Sequence, residues 1–305
     1  MNEEKNRKIL LVLAFLSVYI IWGSTYLAIR FAIETLPPFL MAGIRFLCAG
    51  ALFFCFVPVR DRKKIPRAHW KNAAIVGALL LFGGNGAVVY AEKSVPSGIA
   101  ALVIATVALW MMLLEWLWLK GPRPGMFSVA GLISGFAGLC ALVRPETDSV
   151  HVPAGGIGLL LCGALSWAIG SIYSRRAPMP ENLVTATAMQ MIAGGICLLL
   201  AGTLAGEWVQ AKPETFTLKS LAAFFYLIFF GALGFISYIY MLKNTSPTLA
   251  ATYAYVNPLI AVLLGSVFGG EKIDSGILLS AGLIILAVAL ISLSRKKKEP
   301  DLAGD

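Results

Sequence analysis

The chain has 305 residues, of which 58% are hydrophobic and 13% charged, with a mean hydropathy of +0.81. That balance excludes an ordinary soluble domain, and its long unbroken apolar runs mark an all-α integral membrane protein. The net charge of +9 could serve a nucleic acid or an anionic membrane surface, and its distribution along the chain decides between them.

Segments long enough to cross roughly 30 Å of hydrocarbon with about 20 helical residues run from 9 to 33, 38 to 57, 72 to 92, 98 to 119, 126 to 143, 155 to 174, 183 to 205, 219 to 241, 248 to 268 and 276 to 294. The first run lacks a small-residue cleavage site, so it is expected to stay as a span. It carries Trp22, Thr25, Tyr26 and Ile29 at helical spacing, a mixed aromatic and polar stripe. Arg30 and Glu34 follow four residues apart, which predicts an ion pair at the end of this span. In the second span stands Arg45, whose insertion unpaired costs about 2.5 to 3.5 kcal/mol. It is either a cation facing a cavity, where it attracts a substrate carboxylate or phosphate, or a residue that snorkels to the interface or ties helices.

The loop from Pro58 to Lys71 reads as a positive-inside anchor. The third span contains Gly83-Gly84-Asn85-Gly86, which lacks the lysine of a phosphate-binding P-loop, and ends at Glu92-Lys93, expected at the interface. Thr106, Trp110 and Glu115 lie in the fourth. Glu115 is either a protonatable coupling site or a partner of Lys120 or Arg123. The sixth span repeats the stripe of the first with Ser166, Trp167, Gly170 and Ser171; Gln190 and Tyr238 sit in the seventh and eighth. The ninth contains Tyr253, Asn257 and Pro258 and no ionisable acid or base between Lys243 and Glu271. A mid-helix proline removes a backbone hydrogen bond, so a helix break is expected at Pro258, with a binding site near Tyr253 and Asn257.

Ten spans are thus expected, and the two halves are weakly alike. Lys93 aligns with Lys243, Val107-Ala108 with Asn257-Pro258, and Trp22 to Arg30 with Trp167 to Arg175. Five spans per half make the repeats inverted, with a first repeat over 1–147 and a second over 148–305. With the N-terminus inside, eighteen Lys and Arg fall on the cytoplasmic side and six outside, so both termini are placed in the cytoplasm. The basic excess then follows from topology, and no nucleic-acid partner is expected.

The five cysteines lie in apolar runs without metal-ligand spacing and are expected to be buried thiols. His69 and His151 lie in loops on opposite sides, which leaves no histidine dyad and no expected metal site. No catalytic residues, cofactor or ATPase subunit is expected; the partners are a small-molecule substrate and the lipid bilayer. The two stripes either pack helices or face each other across a central cavity, for which Asn85, Thr106, Trp110, Gln190, Tyr238, Tyr253 and Asn257 are further candidates.

With WGSTYLAIR in the first span and TYAYVNPLIAVLLGSVFGGEKI in the ninth, the sequence resembles the EamA family of the drug/metabolite transporter superfamily. The resemblance covers the whole chain. The proline within the ninth span and Gly270-Glu271 at its end carry it, while the first half has Ala108 where the family often repeats the proline. It implies a multi-pass permease of the bacterial inner membrane. Such a protein exports amino acids or other small metabolites by alternating access, as a proton antiporter or a gradient-driven facilitator. A lipid-linked carrier flippase is the alternative on the same architecture.

Overall fold

The computed structural model describes residues 2–58, 65–95, 100, 103–142, 154–269 and 275–296. Its principal helices are α1 (Lys5–Ile33), α2 (Pro38–Cys55), α3 (Arg67–Ala91), α4 (Val107–Leu117), α5 (Met126–Leu142), α6 (Ala154–Arg176), α7 (Leu183–Leu204), α8 (Leu218–Asn244), α9 (Tyr253–Gly269) and α10 (Ser275–Lys296). No strand occurs among the described residues. Six of these helices, α1, α2, α3, α6, α7 and α8, are long and apolar enough to cross a membrane. The chain is therefore an all-helical membrane protein. Gly270-Glu271, most of the 144–154 loop and the tail beyond 296 lie outside the described residues.

The bundle is held by pairs that bridge the two halves of the sequence: α2 on α7, α3 on α6 and α7, and α1 on α8 and α9. Helices in lipid gain little from apolar burial against each other, so close backbone approach carries the packing. Gly77 of α3 and Gly194 of α7 show how close. A Cβ at Gly77 would lie 2.3 Å from the Gln190 carbonyl oxygen, and one at Gly194 would lie 2.7 Å from the Gly77 oxygen. Apolar side chains need not turn inward in such a bundle. Four of the five cysteines are exposed on its outer surface, namely Cys48, Cys55, Cys140 and Cys162, against the expectation that they would be buried.

Helix starts are capped across the halves as well as locally. The Glu207 carboxylate, itself only 3% exposed, accepts hydrogen bonds from the N–H groups of Leu40 (2.9 Å) and Phe39 (3.3 Å) and so satisfies the first turn of α2. Asn182 caps α7 through the N–H of Thr185 at 3.1 Å.

Three helices depart from regular α geometry near the middle of the bundle. α1 widens into a π-helix over Val18–Trp22 and α3 over Ala78–Gly86, whereas α6 and α8 are regular. α9 is preceded by the short turn Pro247–Ala250 and a break at Ala251 and Thr252. There the backbone closes i to i+3 bonds, and the Thr252 hydroxyl donates to the Leu249 carbonyl at 2.7 Å.

This overturns the expected break at Pro258, which is the sixth residue of a helix that continues through it. One missing N–H leaves one carbonyl unpaired, which a packed helix absorbs; the interrupted ladder lies six residues earlier. The same device precedes α4, where Thr106 donates its hydroxyl to the Val103 carbonyl at 2.7 Å. Thr106 and Thr252 thus stand directly before α4 and α9 with the same hydroxyl bond to the carbonyl three residues earlier.

Candidate functional site

The distorted stretches of α1 and α3 surround a cavity with about 740 Å³ of empty space, its open mouth included. It lies where the C-terminal parts of α1 and α3 meet the N-terminal half of α2, and α4, α6, α8 and α9 complete the wall. Most of the lining is aromatic or aliphatic, with a few polar groups, as in small-molecule sites generally.

The floor is an aromatic cluster. Trp22 meets Trp167 edge-on with centroids 5.5 Å apart and meets Tyr253 edge-on at 5.1 Å. These are the corresponding tryptophans of the two WxxxxxxxR segments, brought together by the crossing of α1, α6 and α9. Tyr238 lies beneath them, fully buried and outside the lining, where its hydroxyl accepts from Trp167 Nε1 at 2.9 Å and bonds Ser171 Oγ at 2.7 Å. Gly84 of α3 makes room for this arrangement, since a Cβ there would stand 2.6 Å from the Trp167 ring.

Arg45 enters from α2. It is 3% exposed and lines the cavity, so it does not snorkel to an interface. Its Nη2 donates to Asn85 Oδ1 at 2.7 Å and its guanidinium carbon lies 4.5 Å from the Phe46 ring centroid, while Nε has no partner. Asn85 owes its position to the π-helical stretch of α3. Asn257, at 1% exposure, also lines the cavity. With its amide nitrogen turned toward them, it donates to the carbonyls of Tyr19 (3.2 Å) and Tyr253 (3.1 Å), which ties α9 to the π-helix of α1. The hydroxyls of Tyr19 and Thr252 bond at 2.7 Å beside it.

Of the residues singled out from sequence, the cavity brings together Trp22, Thr25, Tyr26, Arg45, Asn85, Trp167, Tyr253 and Asn257. It does not include Thr106, whose hydroxyl serves the helix break, or Trp110, whose buried indole N–H has no partner. Gln190 is buried with its backbone at the α3–α7 contact and is absent from the lining, as is Pro258. Glu115 is elsewhere too. Its carboxylate accepts from Thr248 Oγ1 (2.7 Å) and Thr248 N–H (3.2 Å) in a second hollow that Arg123 also lines. Its bonded partner is thus Thr248, not Lys120 or Arg123. Glu34 likewise pairs with Lys219 of α8 at 2.7 Å and not with Arg30.

Sequence reasoning missed Glu92. It was expected at the interface, yet both carboxylate oxygens are buried and without a hydrogen-bond partner. The signal was available, because Asn85, Val88 and Glu92 fall on one face of α3. Tyr19 and Thr252 were also missed, since a π-helix and a helix break leave no mark of their own in the sequence.

The EamA-like transporter family matches residues 9–144 and again 154–293. The chain is 43% identical over 284 residues to "Uncharacterized inner membrane transporter YedA" of Escherichia coli (strain K12), covering 92% of this chain and 90% of that protein. It is 26% identical over 304 residues to "Uncharacterized transporter YvbV" of Bacillus subtilis (strain 168), covering 100% and 98%. It is also 25% identical over 294 residues to "Protein PagO" of Salmonella typhimurium, covering 95% of the chain and 95% of the relative. A solved crystal structure, 22% identical, shares the fold with a TM-score of 0.76 over 95% of this chain and 99% of its own.

Proposed function

The chain belongs to the EamA-like transporter family, and from that premise we propose that it exports amino acids or other small metabolites across the bacterial inner membrane by alternating access. The observation that carries this reading is the buried Arg45, held by Asn85 at the edge of an aromatic cavity built from both halves of the chain. A guanidinium in an apolar chamber attracts a carboxylate or phosphate, and the surrounding rings receive an apolar body. Its partners are a small-molecule substrate and the bilayer, with no ATPase subunit and no nucleic acid.

The architecture we propose is ten spans in two inverted five-helix repeats, 1–147 and 148–305, with both termini in the cytoplasm. Three observations support it: the family matches twice, α4 and α9 follow equivalent threonine breaks, and the principal pairings bridge the halves. In that orientation the cavity faces outward. Polar ties between the halves close the inner end: Asn72 accepts from the Tyr173 hydroxyl (2.8 Å) and donates to the Pro178 carbonyl (2.8 Å), Arg176 donates to the Leu119 carbonyl (3.1 Å), and Glu115 holds Thr248. Opening the inner end while the outer end closes is the alternating step.

Gradient-driven export is the energy source favoured here, because Glu115, the expected coupling carboxylate, stands outside the cavity. The test is transport of a pooled, labelled set of amino acids and related carboxylates in proteoliposomes, with and without a proton gradient. Equilibration that needs Arg45 supports the reading. Accumulation driven by an opposing proton gradient would replace it with antiport, and no movement of any member would turn the search to lipid-linked carriers.

A further inference from the structure

Arg45 lines the cavity, and one turn beyond the lining stands Glu92, a second charge whose buried carboxylate has no hydrogen-bond partner. Asn85, Val88 and Glu92 share a face of α3: Asn85 holds Arg45, Val88 lines the cavity, and Glu92 stands one turn beyond it. On α1, Tyr26 and Arg30 are four residues apart and share a face. The charges of Arg45 and Arg30 both act on Glu92, and Glu92 acts on Arg45 and Tyr26 in turn. Neither Glu92 oxygen accepts a hydrogen bond, and Arg45 spends its own on Asn85.

Among the described residues, the titratable and charged groups facing Glu92 are Arg45 from α2 and Arg30 and Tyr26 from α1. The part of α6 packed on this end of α3 brings no acid or base. Its neighbour Lys93 turns to the ring of Tyr90, 5.3 Å away.

We propose that Glu92 is the charge switch of the Arg45 site, so that a substrate anion binds together with a proton on Glu92. This rests on the reading of the cavity as the substrate site. The physical reason is charge balance in a water-poor enclosure. An ionised Glu92 offsets the Arg45 charge and opposes an incoming carboxylate, whereas a protonated Glu92 leaves the guanidinium to the substrate. Binding of the anion therefore favours the protonated carboxyl, and the two sites are linked with equal strength in both directions.

The test uses the full chain in nanodiscs, with phenylacetate as the anionic probe and phenylacetamide as its uncharged counterpart, titrated calorimetrically between about pH 5 and pH 9. Wild type is expected to bind phenylacetate more weakly as pH rises through the loss of the Glu92 proton, by up to about tenfold per pH unit, and to take up a proton on binding there. Glu92→Gln should bind phenylacetate with the same affinity throughout and take up no proton. Phenylacetamide should show no pH dependence in either.

A pH slope that survives in Glu92→Gln overturns the proposal, as does a flat wild-type profile; if the binding still requires Arg45, the cavity reading stands without the switch. Absence of any preference for phenylacetate over the amide, or no binding at any pH, removes the anion site itself and the proposal with it. If Glu92→Gln does not fold, Glu92→Asp must keep the slope with a displaced midpoint, and an undisplaced midpoint overturns the proposal.

Discussion

At the scale of single residues, the site depends on one buried cation and the groups that keep it placed. Arg45 has one hydrogen-bond partner from protein, Asn85 at 2.7 Å, so Asn85→Ala should cost anionic substrates about 1.5 kcal/mol or more, roughly tenfold in affinity, and leave uncharged analogues unchanged. Equal loss for both would show that Asn85 shapes the cavity and does not place the charge. Glu207 acts at a distance from the site, on the start of α2. Glu207→Ala should lower stability by about 1 to 3 kcal/mol, seen as a reduced melting temperature in detergent, because two N–H groups of α2 lose a charged acceptor. That Arg45 lies buried within a span was legible in the sequence from its position among apolar residues. Its partners were not, because rotation about a helix axis and the pairing of distant helices are set by packing. Arg30 and Glu34 show the limit: spacing along one helix predicts their contact, but Lys219 from α8 lies closer to the carboxylate, at 2.7 Å.

At the scale of elements, the departures from regular helix decide where polar groups face the cavity. Pro258 is a conspicuous signal and a poor guide, since α9 runs through it and the interruption falls at Ala251 and Thr252. Pro258→Ala should therefore transport within about twofold of wild type, restoring only the bond to Ala254. Thr252→Val, which removes the hydroxyl that meets both Tyr19 and Leu249, should impair transport at least about tenfold. The reverse order of effects would return the break to the proline. The spans of α1, α2, α3, α6, α7 and α8 could be read from hydropathy, and the two tryptophan stripes from spacing. The π-helices at Val18–Trp22 and Ala78–Gly86 could not, because an inserted residue in the ladder depends on contacts such as Ser166 Oγ to the Leu79 carbonyl at 2.8 Å. The hydroxyl bonds of Thr106 and Thr252, each to the carbonyl three residues earlier, likewise carried no signal in hydropathy.

At the scale of the whole molecule, the two halves meet through the floor of aromatic rings and through polar ties at the end where α3 begins and α6 ends. The proposed cycle requires those ties to part. Weakening one should favour the state open at that end, so Thr248→Val, which frees Glu115 from one of its two bonds, is expected to raise thiol labelling of a cysteine placed there. The most direct measurement joins the halves covalently at Asn72→Cys and Tyr173→Cys with a short thiol cross-linker, after the five native cysteines have been replaced, and follows uptake of the labelled carboxylate pool into proteoliposomes. Alternating access requires that cross-linking stop uptake and that cleaving the linker restore it. Uptake at the full rate through a completely cross-linked protein would contradict alternating access through this cavity.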